Sequence, residues 1–214
     1  LGIDAGTGIN RWKLERPKRA NWTSPIVFTD PANGHPSILL QSSKGLLAIE
    51  PSTGKELWNY AEGASTVPSS ASSRGVIYVP SSGITALKPG VAGEAPTQLW
   101  RAGNLRPGTS SPIVVGDRLY TLNDAGVLTA GDIQDGSRLW QLRLKGPFSS
   151  SPVAAGRYVY ATNEKGLLQV VDTSKPEGEL ISEMDLGETI LGTPTISGNA
   201  LYIRSDGKLW KISG

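Results

Sequence analysis

The chain has no cysteine in 214 residues, and with it go disulfides, thiolate metal sites, a thiol nucleophile and covalent c-type haem attachment. It has one histidine, His35, in the turn Asn33-Gly34-His35-Pro36. Without a second histidine, typical zinc sites and His-based triads are hard to build, so His35 is read as an exposed turn residue. No apolar run approaches the roughly 18 residues that a membrane span needs, and the segment is expected to be soluble. No stretch of helical length shows apolar spacing of 3.6. Charge is nearly balanced, 21 Lys and Arg against 19 Asp and Glu, which gives no case for nucleic acid or an anionic membrane surface. The one basic cluster, Arg11, Lys13, Arg16, Lys18 and Arg19, reads as a solvated strand edge and loop. The first residue is Leu1, with no initiator methionine and no signal-peptide pattern after it, so the start reads as a boundary or processing point and no address is legible directly. Asn21-Trp22-Thr23 fits the N-glycosylation triplet, a pattern that arises often by chance.

What is abundant is glycine, 26 residues, with 15 prolines, the composition of a turn-rich all-β protein. One phrase recurs. Glu50-Pro51-Ser52-Thr53-Gly54 is followed four residues on by Trp58; Asp4 to Gly8 is followed by Trp12; Asp132 to Gly136 is followed by Trp140; a stretched copy ends at Trp100. These tryptophans lie 46, 42 and 40 residues apart. A second marker, a glycine opening an apolar or alternating run, stands at Gly45, Gly83, Gly126, Gly166 and Gly207, at intervals of 38, 43, 40 and 41. A period near forty with several strands per unit predicts the blades of a β-propeller, each a four-stranded antiparallel sheet.

In the clearest unit, Ile113 to Val115 and Leu119 to Leu122 form a hairpin about Gly116-Asp117-Arg118; the chain turns at Gly126 into Val127 to Ala130, turns again over Asp132 to Gly136 and leaves along Arg138 to Leu144. In this reading the acid caps the turn between the third and fourth strands, the glycine takes a backbone geometry other residues resist, and the tryptophan packs sideways between blades. A phosphate loop would lead into a helix instead. Asp4, Glu50, Asp132 and Asp172 occupy equivalent turns, so the repeat holds them apart and they cannot act as an acid and base pair.

These residues resemble the PQQ-like repeat propellers, whose blades carry a tryptophan-docking motif of the form Ala-x-Asp-x-x-Thr-Gly-x-x-x-Trp. Residues 2–12, 46–58 and 126–140 match it; 83–100 match with an insertion, and at 166–183 the turn Asp172-Thr173-Ser174 remains while the tryptophan is lost. Trp12, Trp58, Trp100 and Trp140 are the blade-docking residues this implies. The phrases at 83–90 and 201–210 look most like bacterial, planctomycete-like PQQ-binding-like β-propeller repeat proteins. Members of the family with known roles are eight-bladed quinoprotein dehydrogenases, with calcium bridging the quinone and an aspartate base, and a non-enzymatic outer-membrane assembly scaffold. The absence of a cysteine pair and of a haem motif, and a length short of an eight-bladed ring, favour the scaffold. The resemblance thus implies a periplasmic or extracellular protein that binds a protein, peptide or glycan, with no cofactor expected; PQQ with calcium, in a quinone- or sugar-binding redox module, is the alternative. No catalytic, cofactor or metal residue is assigned.

Four full repeats span about 21–58, 65–100, 108–144 and 148–186 of a single 1–214 domain, with an outer strand at 1–14 and three strands at 190–213. Two readings of the ends stand open: the N-terminal strand completes a fifth blade and closes the ring, or the chain is a portion of a seven- or eight-bladed ring. Ligand contacts are expected at the channel mouth, where innermost strands converge. Small hydroxyl residues precede those strands: Ser24, Ser69, Thr109, Ser110, Ser149, Ser150 and Thr193. They either hydrogen-bond to turns and channel water or form a hydroxyl ring for a polar ligand. Trp22 is a candidate aromatic platform beside them, and Trp210, in a third strand, is expected to pack between blades.

Overall fold

The computed structural model describes residues 1–90 and 93–213, so residues 91 and 92, inside the stretched repeat copy, lie outside the described residues. Among the described residues there is no helix, and every paired strand is antiparallel to its neighbour. The chain divides into two compact units, Leu1–Arg101 and Ala102–Gly214.

The first unit opens with a two-stranded ribbon, β1 (Gly2–Ile3) and β2 (Asn10–Trp12). Two four-stranded meanders follow: β3 (Ile26–Thr29), β4 (Pro36–Ser42), β5 (Gly45–Ile49) and β6 (Glu56–Tyr60), then β7 (Ala71–Ser73), β8 (Val76–Ser81), β9 (Gly83–Lys88) and β10 (Thr97–Ala102). The second unit holds β11 (Ile113–Val115), β12 (Arg118–Leu122), β13 (Val127–Asp132) and β14 (Arg138–Arg143), then β15 (Val153–Ala155), β16 (Tyr158–Thr162), β17 (Leu167–Asp172) and β18 (Glu179–Asp185). It ends in a three-stranded sheet, β19 (Thr195–Ser197), β20 (Ala200–Arg204) and β21 (Leu209–Ser213).

Trp12 of β2 pairs with Gly2 of β1, in the register that Trp58 takes with Ala48 and Trp140 with Ala130. Residues 1–3 supply the strand that pairs with β2.

Burial follows strand rank. The second and third strands of a blade are covered on both faces, as in β9 (Gly83, Ile84, Thr85, Ala86 and Leu87 all buried), whereas fourth strands such as β18 are largely exposed. In the first unit Phe28, Leu39, Leu46, Trp58 and Tyr60 pack with Ile77, Val79 and Leu87 of the following blade. In the second, Tyr120, Leu128, Trp140 and Phe148 pack with Val159, Ala161 and Val171. Leu168, Leu186 and Ile190 then meet Leu201 and Ile203, with Trp210 half-buried against them. Within each unit a blade buries one sheet face on the blade that follows it.

The repeated turn has the same hydrogen bonds in three copies. The amides of Asp4, Glu50 and Asp132 donate to the carbonyls of Ile9, Lys55 and Ser137 at 2.9, 2.8 and 2.9 Å. The amides of Gly8, Gly54 and Gly136 donate back to the carbonyls of the same three acids at 2.8, 2.9 and 3.0 Å. Each glycine sits near φ +70°, the left-handed region that a Cβ disfavours. The acid side chains cap the turn: Asp4 Oδ1 accepts from the Gly6 and Thr7 amides, Asp132 Oδ1 from the Gln134 amide, and Asp172 Oδ1 from the amide and hydroxyl of Ser174. The Arg11 guanidinium, followed by the Thr7 hydrogen bonds, holds the Asp4 carboxyl below its ordinary range, and the Ser174 bonds with Arg157 do the same for Asp172.

The basic cluster is only in part a solvated face. Arg16 is half-buried and donates to the Gln41 carbonyl at 2.9 Å, and burial lowers its pKa. The Gln41 side chain donates to the Ser65 and Pro68 carbonyls and accepts from Ser70 Oγ, so it ties the first blade to the loop that starts the second.

Candidate functional site

The hydroxyl residues before the innermost strands fall in register. Ser24, Ser69, Ser111, Ser151 and Thr193 each stand two residues before the first residue of a first strand. In the first unit the Ser24 amide donates to Ser69 Oγ at 2.9 Å. In the second, the Ser111 amide donates to Ser151 Oγ at 2.8 Å and the Ser151 amide to Thr193 Oγ1 at 3.0 Å. One blade's hydroxyl therefore accepts the backbone N–H of the blade before it, once in the first unit and twice in the second.

The remaining candidate hydroxyls are engaged as well. Ser110 Oγ donates to the Ser150 carbonyl at 2.7 Å, and Ser150 Oγ to the Thr162 carbonyl at 2.6 Å, both fully buried. Thr109 binds Asp124 Oδ1 through its amide and hydroxyl at 2.7 and 3.0 Å, and Ser149 Oγ donates to Glu164 Oε1 at 2.7 Å. Asp124 and Glu164 occupy equivalent turns between second and third strands, so the same tether forms twice. Glu188 makes a related one, accepting from Ser205 Oγ, the Gly207 amide and Lys208 Nζ at 2.6, 3.1 and 2.7 Å. The Lys208 ammonium, then the Ser205 hydroxyl, pulls its carboxyl down to about 2.

Trp22 differs from its neighbours. Its amide donates to the Thr66 carbonyl at 2.7 Å, which seats its segment alongside Thr66-Val67, while its side chain is 69% exposed. Val67, four residues before β7 as Trp22 is before β3, is also exposed. An apolar pair is thereby presented to solvent at the entrance to two successive blades. Trp210, by contrast, donates from Nε1 to Ser205 Oγ at 3.0 Å and carries Lys208 Nζ 5.0 Å from its ring centre.

The docking tryptophans meet their neighbours unequally. A Cβ placed on Gly54 would stand 2.7 Å from the Trp12 ring, and one on Gly178 would stand 2.7 Å from Trp140, so in both cases the indole rests on bare glycine of the next blade's turn. Trp12 Nε1 also donates to the Pro51 carbonyl at 2.9 Å. Trp100 packs on Tyr78 of its own sheet, ring centres 5.8 Å apart. Cavities mark the two departures from this pattern. Where the motif's tryptophan is replaced by Ser182, a largely apolar groove of about 400 Å³ opens among Tyr160, Val170, Met184 and Ile196. Where the turn is stretched, a cavity of about 290 Å³ lies beside Trp58, with His35 at its edge. The lone histidine is exposed, as its turn position implies, but it borders a cavity that the sequence signalled only through the insertion in residues 83–100.

Among the described residues no three of His, Cys, Asp and Glu come together in a way that could hold a metal ion. Among the described residues no helix is long and apolar enough to cross a membrane.

Residues 81–176 match the family model described as outer membrane protein assembly factor BamB. No curated protein matches the sequence. Among solved structures, the crystal structure of BamB from Moraxella catarrhalis aligns with 95% of this chain at 17% identity and a TM-score of 0.73, and the chain spans 60% of that protein's length. The fold is that of a PQQ-like β-propeller.

Proposed function

We propose that this PQQ-like repeat propeller is a non-enzymatic scaffold that binds a protein in the cell envelope or outside the cell. One observation carries the reading: the exposed Trp22, held beside the exposed Val67 by the Trp22 amide bond to Thr66, while the Ser69 hydroxyl nearby accepts the Ser24 amide. An exposed indole with an apolar neighbour suits the centre of a protein interface, where tryptophan is enriched among residues that dominate affinity. The likeness to an assembly factor supports a binding role and an envelope location.

Trp22→Ala is expected to weaken capture of a specific envelope protein by at least about 30-fold, in line with the roughly 2 kcal/mol of a tryptophan anchor. Its melting temperature should equal that of the wild type, because the side chain lies in solvent. Equal capture by both proteins, at equal stability, would contradict the assignment of this surface.

The second reading, a quinone- or sugar-binding redox module, rests on the repeat type alone. It is tested by titrating PQQ with calcium and following absorbance and melting temperature. The scaffold reading expects no saturable change, whereas a saturable shift in both would favour the redox module.

A further inference from the structure

The cavity beside Trp58 has an origin in the repeat. Trp12 and Trp140 each rest on a turn glycine of the next blade, but Trp58 shares its cavity with Pro89 of the stretched loop. The glycine of that loop, Gly90, closes instead on the carbonyls of Glu94 and Ala95, which a Cβ would approach to 2.5 and 2.8 Å.

Two carboxylates line this space from different turns: Asp30 from the β3–β4 connection and Glu50 from the β5–β6 connection. Asp30 is held in place by bonds from the Ala32 amide at 2.9 Å and Asn33 Nδ2 at 3.2 Å. Glu50 accepts from Ser52 Oγ through Oε1. Phe28 and Trp58 supply aromatic surface, and no lysine or arginine is among the lining residues. Two carboxylates and two aromatic rings, with His35 at the edge and no lysine or arginine among the described lining residues, are complementary to positive charge on an apolar stem. The volume, about 290 Å³, is at the small end of ligand cavities, which run from about 300 to 1,000 Å³.

We infer that this cavity binds a small organic cation, an ammonium or guanidinium group on a short apolar stem. The site is separate from the Trp22 surface and stands or falls without it.

Calorimetric titration of the full chain with phenethylammonium, 2-phenylethanol and 3-phenylpropionate tests it. The ammonium should bind saturably and at least about tenfold more tightly than the alcohol, the equivalent of one charge-assisted contact, and the carboxylate should not bind. Glu50→Gln should weaken the ammonium about tenfold and leave the alcohol unchanged; Asp30→Asn, which keeps an acceptor for the turn, gives a second variant should the first unfold. A peptide amide carrying one lysine distinguishes the source: binding by the peptide in preference to phenethylammonium assigns the cation to a protein side chain, and the reverse assigns it to a free amine. Absence of saturable ammonium binding, alcohol binding of equal strength, or unchanged affinity in both folded variants would overturn the inference.

Discussion

Gly45→Ala should lower the melting temperature by about 8 °C or more, the effect of at least about 3 kcal/mol in a chain of this size. Gly45 has φ +133°, and a Cβ there would stand 1.8 Å from the carbonyl oxygen of Tyr60 and 2.9 Å from its carbon. The obstacle is backbone in a paired strand, Tyr60 lying opposite Leu46, so relief requires opening the β5–β6 ladder. Gly126 and Gly166 face the Leu144 and Glu188 carbonyls in the same way, at 2.5 and 2.3 Å. The proper control is Gly116→Ala. Gly116 also has positive φ, +60°, but a Cβ would meet nothing within 4 Å, so only the conformational penalty of about 1–2 kcal/mol remains. Thermal unfolding of the two variants separates crowding from conformation; equal losses would mean that the third-strand glycine is kept for its φ alone.

Trp140→Ala should cost about 3–5 kcal/mol, read as a shift of the urea midpoint. Its ring is 5% exposed, lies 5.7 Å from that of Tyr120 and rests on Gly178. The loss should come from packing, because Trp140 Nε1 has no hydrogen-bond partner among the described residues. The equivalent turn carbonyl has another partner here. Trp12 donates to Pro51, the residue after Glu50, but Thr173, the residue after Asp172, gives its carbonyl to Arg118 Nη1 at 2.8 Å. Trp140→Phe should therefore lose much less than the alanine variant, since it removes an N–H that is buried and unpaired. A phenylalanine variant as unstable as the alanine one would show that packing does not account for the role of the indole.

The turns, the strand order and the all-β class were legible because each rests on a local rule. An acid, a glycine with positive φ and a tryptophan four residues later produce the same turn at Asp4, Glu50 and Asp132, with the same hydrogen bonds. The small hydroxyl residues were legible as a series, but their use was not. That the Ser111 amide reaches Ser151 Oγ depends on how one blade lies on the next, a distance of 40 residues in sequence. The β1–β2 ribbon was not legible for a related reason: residues 1–14 read as one outer strand, while residues 1–3 form a short partner for Asn10–Trp12. Cavities were least legible. Two lie where a docking tryptophan or its glycine is lost, at Ser182 and at the stretched loop after Lys88, but another of about 430 Å³ lies beside Trp12, where the motif is intact.

The most direct test of the scaffold assignment is site-specific photo-cross-linking in cells, with a photoreactive residue at position 22, at position 67 or at Val27, which is 70% exposed outside this surface. The account predicts one shared protein adduct from positions 22 and 67 and none from position 27. Adducts of equal yield from all three positions, or none from position 22, would contradict it.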